Sequence, residues 1–509
     1  PPGEVFDRGP GETKVYKLHI ETQTTVVQGA SAPNTVALSP LLSTTKGIMT
    51  TSAVQHRTSA AAPPASKHKG LLAAGLIGSS IEWYDFFLYG TAAAIVFPHV
   101  FFPETNALVG TMLAFSTFWA GFIARPIGGL LAGNYGDKLG RKPMVVIALT
   151  GMAVFTFIIG CLPSAGTIGA AAPVLLVVCR FVQGAACGAQ WGGMALLLSE
   201  SAGPKHRAFS GSFTQLGVPC GALLGNLVFV GVSVALSQDA FTTWGWRIPF
   251  WATALLVPIV MYIQLKVEDS PEFKQLEEEV AAGQADKPAV VKTPLWQAVK
   301  SNWKTILLAA GTLSGTNCIF YISIAGVLSY GTKYLNMDYN QMLLGAMASC
   351  VAGAIFMVIG GKLADSHGRK PVILIGGIGV LVFAFPYFAL VNTANIWLFT
   401  VAVTIASCFQ SLIYAPIAAY FGELFAPQIR YSAVSLAYQL NAIVVSGSTP
   451  VVMTWIIAKM NGSTLGITLF VCLTALCTIL CTLPLRETNP KHVREDPTAV
   501  PGEHLHSNA

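Results

Sequence analysis

Four ionisable side chains stand inside otherwise apolar stretches: Glu82 and Asp85 in Ile81-Glu-Trp-Tyr-Asp-Phe-Phe87, Arg125 in the next apolar run, and Arg180 in the fourth. Charge at bilayer depth is costly, and it is kept where it meets an opposite charge, a substrate or a proton. Glu82 and Asp85 are three residues apart, which on a helix puts both on one face. The pattern predicts that these carboxylates meet the two arginines across a wet central cavity. A carboxylate beside an arginine is ionised while the pair is intact and protonated once a substrate anion takes the arginine, so competition for the arginine couples a proton to an anion. The planar guanidinium suits a carboxylate because it donates two parallel hydrogen bonds. Arg125 and Arg180 are therefore candidates to bind an anion, and Glu82 and Asp85 to carry the proton, with the choice between the two acids open.

The neighbours of these charges supply the rest of a candidate site. Tyr84 lies between the acids. Arg180 opens Arg180-Phe-Val-Gln183-Gly184, and Gln190 and Trp191 follow in the same run. Gly184, Gly188 and Gly192 recur every four residues, a spacing that lets a second helix approach closely. In the second half of the chain the polar supply inside apolar runs is neutral, led by Asn317 and Tyr321. For each of these neutral residues helix packing is an equal alternative to ligand contact. No phosphate-binding loop, zinc-protease motif, nucleophile elbow or His/Cys cluster occurs, so neither an enzyme nor a bound cofactor is expected. The cysteines sit in apolar runs and read as packing.

The elements that must hold these residues follow from composition. The 509 residues are 53% hydrophobic and only 11% charged, well below the roughly 25% charged of soluble domains. From residue 70 the chain resolves into twelve apolar spans of about 20 residues, the length that crosses a bilayer. The expected fold is an all-α membrane protein of two six-helix bundles, 70–266 and 303–485. A hydrophilic linker at 267–302 joins them, and a polar tail at 486–509 ends the chain. Residues 1–69 are rich in Thr, Ser, Ala and Pro and read as disordered, with Met49 the expected native start and 1–48 upstream of it. Lysines and arginines crowd the loops on one side, whereas the other side holds Arg247, Lys333 and Lys459. The positive-inside rule then puts both termini in the cytoplasm. Because the net charge of +6 is spread over short loops rather than one domain, it argues for a lipid bilayer and not for nucleic acid.

Two short patterns each occur twice. Gly133-x3-Asp137-x2-Gly140-Arg141-Lys142 recurs as Gly361-x3-Asp365-x2-Gly368-Arg369-Lys370, and Glu200-x3-Pro-x2-Arg207 recurs as Glu423-x3-Pro-x2-Arg430. Paired signatures in register indicate an internal duplication. The spacing predicts a latch in each half, Gly133/Asp137/Arg141/Glu200 and Asp365/Arg369/Glu423, holding the halves together on the cytoplasmic side.

These paired hinges, the Arg-x2-Gln-Gly of span four, Arg125-Pro-Ile-Gly-Gly129, Trp244-Gly-Trp-Arg-Ile-Pro-Phe250 and Glu268-Asp-Ser-Pro-Glu-Phe273 resemble the signatures of the major facilitator superfamily, and within it the metabolite:proton symporters, shikimate-type members most of all. The resemblance implies alternating access and uptake of a small organic acid with a proton across the bacterial inner membrane; a monomer is expected. An exporter or exchanger of the same fold, or a symporter of betaine- or proline-like zwitterions, is the alternative.

Overall fold

The computed structural model describes residues 65–139, 141–188, 206–255, 295–425 and 429–489, together with 198, 258 and 491. The segment holding Met49, most of the 267–302 linker, and Gln190, Trp191 and Glu200 lie outside the described residues.

Among the described residues the secondary structure is helical throughout. Before the linker come α1 (Ala65–Ile95), α2 (Ala107–Leu139), α3 (Arg141–Cys161), α4 (Ala171–Gly188), α5 (Arg207–Ala235) and the short α6 (Ile248–Trp251). After it come α7 (Lys300–Tyr334), α8 (Tyr339–His367), α9 (Arg369–Val391), α10 (Ile396–Leu424), α11 (Ala433–Lys459) and α12 (Leu465–Thr482). Nine helices in the described residues are long and apolar enough to cross a membrane. A 29-residue helix such as α8 spans about 43 Å at ~1.5 Å per residue, more than the ~30 Å of a hydrocarbon core.

Between apolar helices in lipid, close approach of backbones does the work that water expulsion does in soluble cores. The seam between α2 and α4 is built this way: a Cβ on Gly184 would strike the backbone of Gly121, and one on Gly188 would strike the backbone of Arg125. The glycine spacing on α4 therefore brings Arg125 and Arg180 onto neighbouring walls. In the same manner α1 lies along α5, α5 along α8, and α8 along α10, so that α5 and α8 join the first six helices to the last. Further links between the halves run from Trp119 Nε1 to the carbonyl of Ile443 at 2.8 Å and from Ser233 to Asn340 at 3.1 Å.

Two local departures from α-geometry fall in the second half. α7 carries a π-turn at Ile322–Gly326 and α11 one at Ala442–Ser446; such turns recur at functional sites. At the second hinge α8 stops at His367, Gly368 takes φ +103°, and α9 restarts at Arg369. Glycine is the residue that adopts such a φ without strain. In the first hinge Gly133 and Asp137 lie in the last turns of α2, and Arg141 opens α3.

Candidate functional site

All four expected charges are enclosed: Glu82 is 6% exposed, Asp85 5%, Arg125 4% and Arg180 2%. Their partners differ from the expectation. Asp85 accepts one hydrogen bond from Thr156 of α3 and another from Gln183 of α4. The Gln183 amide nitrogen also reaches Thr156 at 2.6 Å, and its carbonyl oxygen accepts from Arg180 Nη1 at 2.5 Å. Gln183 thus stands between acid and arginine and joins them. Glu82 accepts from the thiol of Cys187 at 3.1 Å. Among the described residues neither acid forms an ion pair with either arginine.

Aromatic rings take the place of carboxylates around the guanidinium groups. Arg125 lies 4.6 Å from the ring centroid of Phe122, 5.0 Å from Phe86 and 6.0 Å from Trp83. Arg180 lies 4.2 Å from Tyr89, 4.9 Å from Phe86 and 5.1 Å from Phe118. Ring faces carry partial negative charge and hold a cation without neutralising it. The hydrogen-bonding edge of Arg125 therefore stays uncommitted among the described residues, and Arg180 keeps a buried Nε without a partner.

The second half closes over the same rings. Tyr321 packs edge-on against Phe86, Phe118 and Phe122 at 5.8 to 6.1 Å. Asn317 donates to Asn441 at 2.6 Å, and Asn441 in turn donates to Ser314 and to the carbonyl of Ala310. The hydroxyls of Tyr414 and Tyr438 meet at 3.0 Å. Tyr84 turns its hydroxyl to the carbonyl of Pro249 at 2.9 Å, tying α1 to α6. A small pocket opens between α5, α7, α8 and α10, where Pro219, Phe320, Ser323, Ser349, Ser407 and Gln410 contribute to its wall. None of the four charges lines that pocket, and the rings of Phe86, Phe118 and Phe122 lie against the two guanidinium groups.

At the second hinge the expected residues do come together. Arg369, fully buried, pairs with Asp365 at 3.0 Å and with Glu423 at 3.2 Å. Asp365 also accepts from the backbone N–H groups of Ala208 and Phe209 at 3.0 and 2.9 Å, at the start of α5 in the other half. A carboxylate at a helix N-terminus satisfies free donors and meets the positive end of the helix dipole. The tail adds a clasp that sequence reading missed: Glu487 accepts from the backbone N–H of Arg369 and Lys370, both at 2.9 Å. Thr488 donates to Glu423 at 2.6 Å, and Asn489 reaches the carbonyls of Ala364 and Asp365. The side chains of Gly133/Asp137/Arg141 and the whole of Glu200 lie outside the described residues.

Thr156, Cys187 and the Phe86/Phe118/Phe122 cluster were also missed. The one available signal was the i, i+4 spacing of Phe118 and Phe122, which marks a shared helical face.

Residues 71–495 match the family model described as sugar (and other) transporter. The chain is 34% identical to the inner membrane metabolite transport protein YhjE of Escherichia coli (strain K12), over 77% of this chain and 89% of that protein. It is 33% identical to the shikimate transporter of the same strain, over 81% and 93% of the two chains. To the proline/betaine transporter of that strain it is 31% identical, over 77% and 78%. The solved structure of the xylose transporter XylE from E. coli, in a partially occluded inward-open conformation, superposes with a TM-score of 0.65 at 18% identity, covering 83% of this chain and 99% of that one; at that identity the likeness speaks to the fold. These matches, the helical bundle and the duplicated hinges agree, and the chain belongs to the sugar (and other) transporter family of the major facilitator superfamily: it is a multi-pass membrane transporter and not an enzyme.

Proposed function

We propose that this transporter imports a small organic acid together with a proton. The observation that carries the reading is Arg125, a buried guanidinium seated on aromatic rings with its donors uncommitted among the described residues, beside an acid, Glu82, whose described partner is a thiol. A substrate carboxylate docks on the Arg125 fork and gains two charge-assisted hydrogen bonds. Its negative charge then favours a proton on the nearby acid, and loading of the two becomes mutual. Asp85 already accepts from Thr156 and Gln183, whereas Glu82 has one weak thiol donor and room for a proton, so Glu82 is the proton carrier. Arg180 follows the state of Asp85 through Gln183.

Loading then biases the two halves to rock about the site. For the hinge end to open, Asp365 must leave the N-terminus of α5. That end faces the cytoplasm, where the positive charges gather, and the latch sets are Asp365/Arg369/Glu423 with their first-half counterparts. The coupling ion is the proton, the cargo a carboxylate, and the unit a monomer.

A zwitterion such as betaine is the competing cargo, since an aromatic cluster suits a quaternary ammonium. Here the ring faces already hold two arginines, and a third cation would be repelled. The acid is favoured on that ground.

Uptake into proteoliposomes decides the matter. Shikimate and other labelled carboxylates are offered with an inward proton gradient, and betaine serves as the zwitterion. Accumulation of an acid should vanish with a protonophore, and Arg125→Ala should lower it more than about 100-fold, the equivalent of two charge-assisted bonds, with the protein still monodisperse. Concentrative uptake that survives the protonophore removes proton coupling. Near-normal uptake by the variant means that the anion is held elsewhere.

A further inference from the structure

α12 carries a pair of thiols that the transport mechanism does not use. Cys477 and Cys481 are one helical turn apart, partly buried, with their sulfurs 3.9 Å from each other. Both sulfurs lie over Gly311 of α7, so close that even a Cβ there would collide with Cys481. Ser314, which accepts from Asn441 in the α7–α11 network, is on the same stretch of α7. On a helix, Cβ atoms four residues apart are about 5–6 Å from each other, beyond the ~3.5–4.5 Å that a disulfide requires. The helix therefore keeps the two thiols reduced yet pointing at a common point. Sulfur ligands select soft, thiophilic ions, and a single bridging atom spans a gap that a direct S–S bond does not.

We propose that Cys477 and Cys481 form a dithiol site for a thiophilic ion of the trivalent-arsenical class, and that its occupation wedges α12 away from Gly311 and stalls transport. With phenylarsine oxide the arsenic–oxygen bond is replaced by two arsenic–sulfur bonds. The oxygen leaves with both thiol protons as water, and no electrons change hands. The binding half of the inference stands on the thiol geometry alone; the stall rests on the transport reading, because α7 also carries Tyr321 and the π-turn that meet the first half.

The test uses the purified full chain and phenylarsine oxide. Intact mass should show one adduct that resists mercaptoethanol and is released by 2,3-dimercaptopropanol, and peptide mapping should find Cys477 and Cys481 both protected from maleimide. In Cys477→Ser and in Cys481→Ser the resistant adduct should fall at least tenfold in monodisperse protein. Persistence of the same resistant adduct when both are replaced overturns the assignment, as does alkylation of both thiols in arsenical-treated wild type, a result that needs no variant to fold. In vesicles the adduct should slow uptake at least tenfold in wild type and less than twofold in Cys481→Ser. Full-rate uptake by the modified wild type overturns the stall and leaves the binding result to be judged by mass.

Discussion

Arg125 and Arg369 present the same side chain in opposite settings. Arg369 is met by Asp365 and Glu423, bonded to the carbonyl of Ala364, and surrounded by a tail that caps the same helix. Arg125 is seated on ring faces, and among the described residues no carboxylate forms an ion pair with it. A guanidinium whose donors are all engaged cannot take a ligand without breaking something, and it works as a fastener. One that is desolvated but unengaged gains most from an incoming carboxylate. On the function proposed above, the difference separates a site that holds from a site that receives, and it lies in the surroundings rather than in the residue.

The comparison breaks most readily at its larger end. Replacing Arg369 by Ala strands Asp365 and Glu423, and breaking a buried ion pair from one side costs about 3–5 kcal/mol; thermal unfolding in detergent should register that loss, whereas Arg125→Ala should leave the melting temperature nearly unchanged. Equal melting losses for the two variants would erase the distinction. A middle-sized effect is expected from Thr156→Val, which takes one donor from Asp85 and with it about 1.5–3 kcal/mol of charge-assisted bonding. With Glu82 as the proton carrier, the pH dependence of uptake should keep its position while apparent substrate affinity falls, because the lost bond reaches Arg180 through Gln183. A displaced profile would give the coupling proton to Asp85 and not to Glu82. Smallest is Glu487→Gln, which keeps the shape of the clasp but removes its charge from the start of α9. About 0.3–1 kcal/mol of stability should go, less at high salt, and transport kinetics should change before binding does.

Some of this was visible in the residues themselves. The four charges in apolar runs announce themselves because an ion there is costly without a partner, and the Asp365–Arg369–Glu423 set is foreshadowed by two patterns repeated in register. What could not be read is the partner list. Thr156, Cys187 and Phe118 are residue types that fill helix interfaces everywhere, so nothing in their identity marks them as neighbours of a charge. The expectation that the acids meet the arginines came from charge and its cost in lipid, and it overlooked that Gln183 is long enough to stand between Asp85 and Arg180.

Sequence determined that the chain is a duplicated helical bundle for a bilayer, because hydrophobic length and composition are summed along the chain and need no knowledge of neighbours. It also determined which side chains are too costly to be incidental. Tertiary structure alone decided which arginine is paired with carboxylates and which is seated on rings. That choice depends on how helices are rotated about their axes and how closely glycines let them approach, and contacts across more than 100 residues of sequence, such as Asp365 with Ala208, exist only once the halves have met.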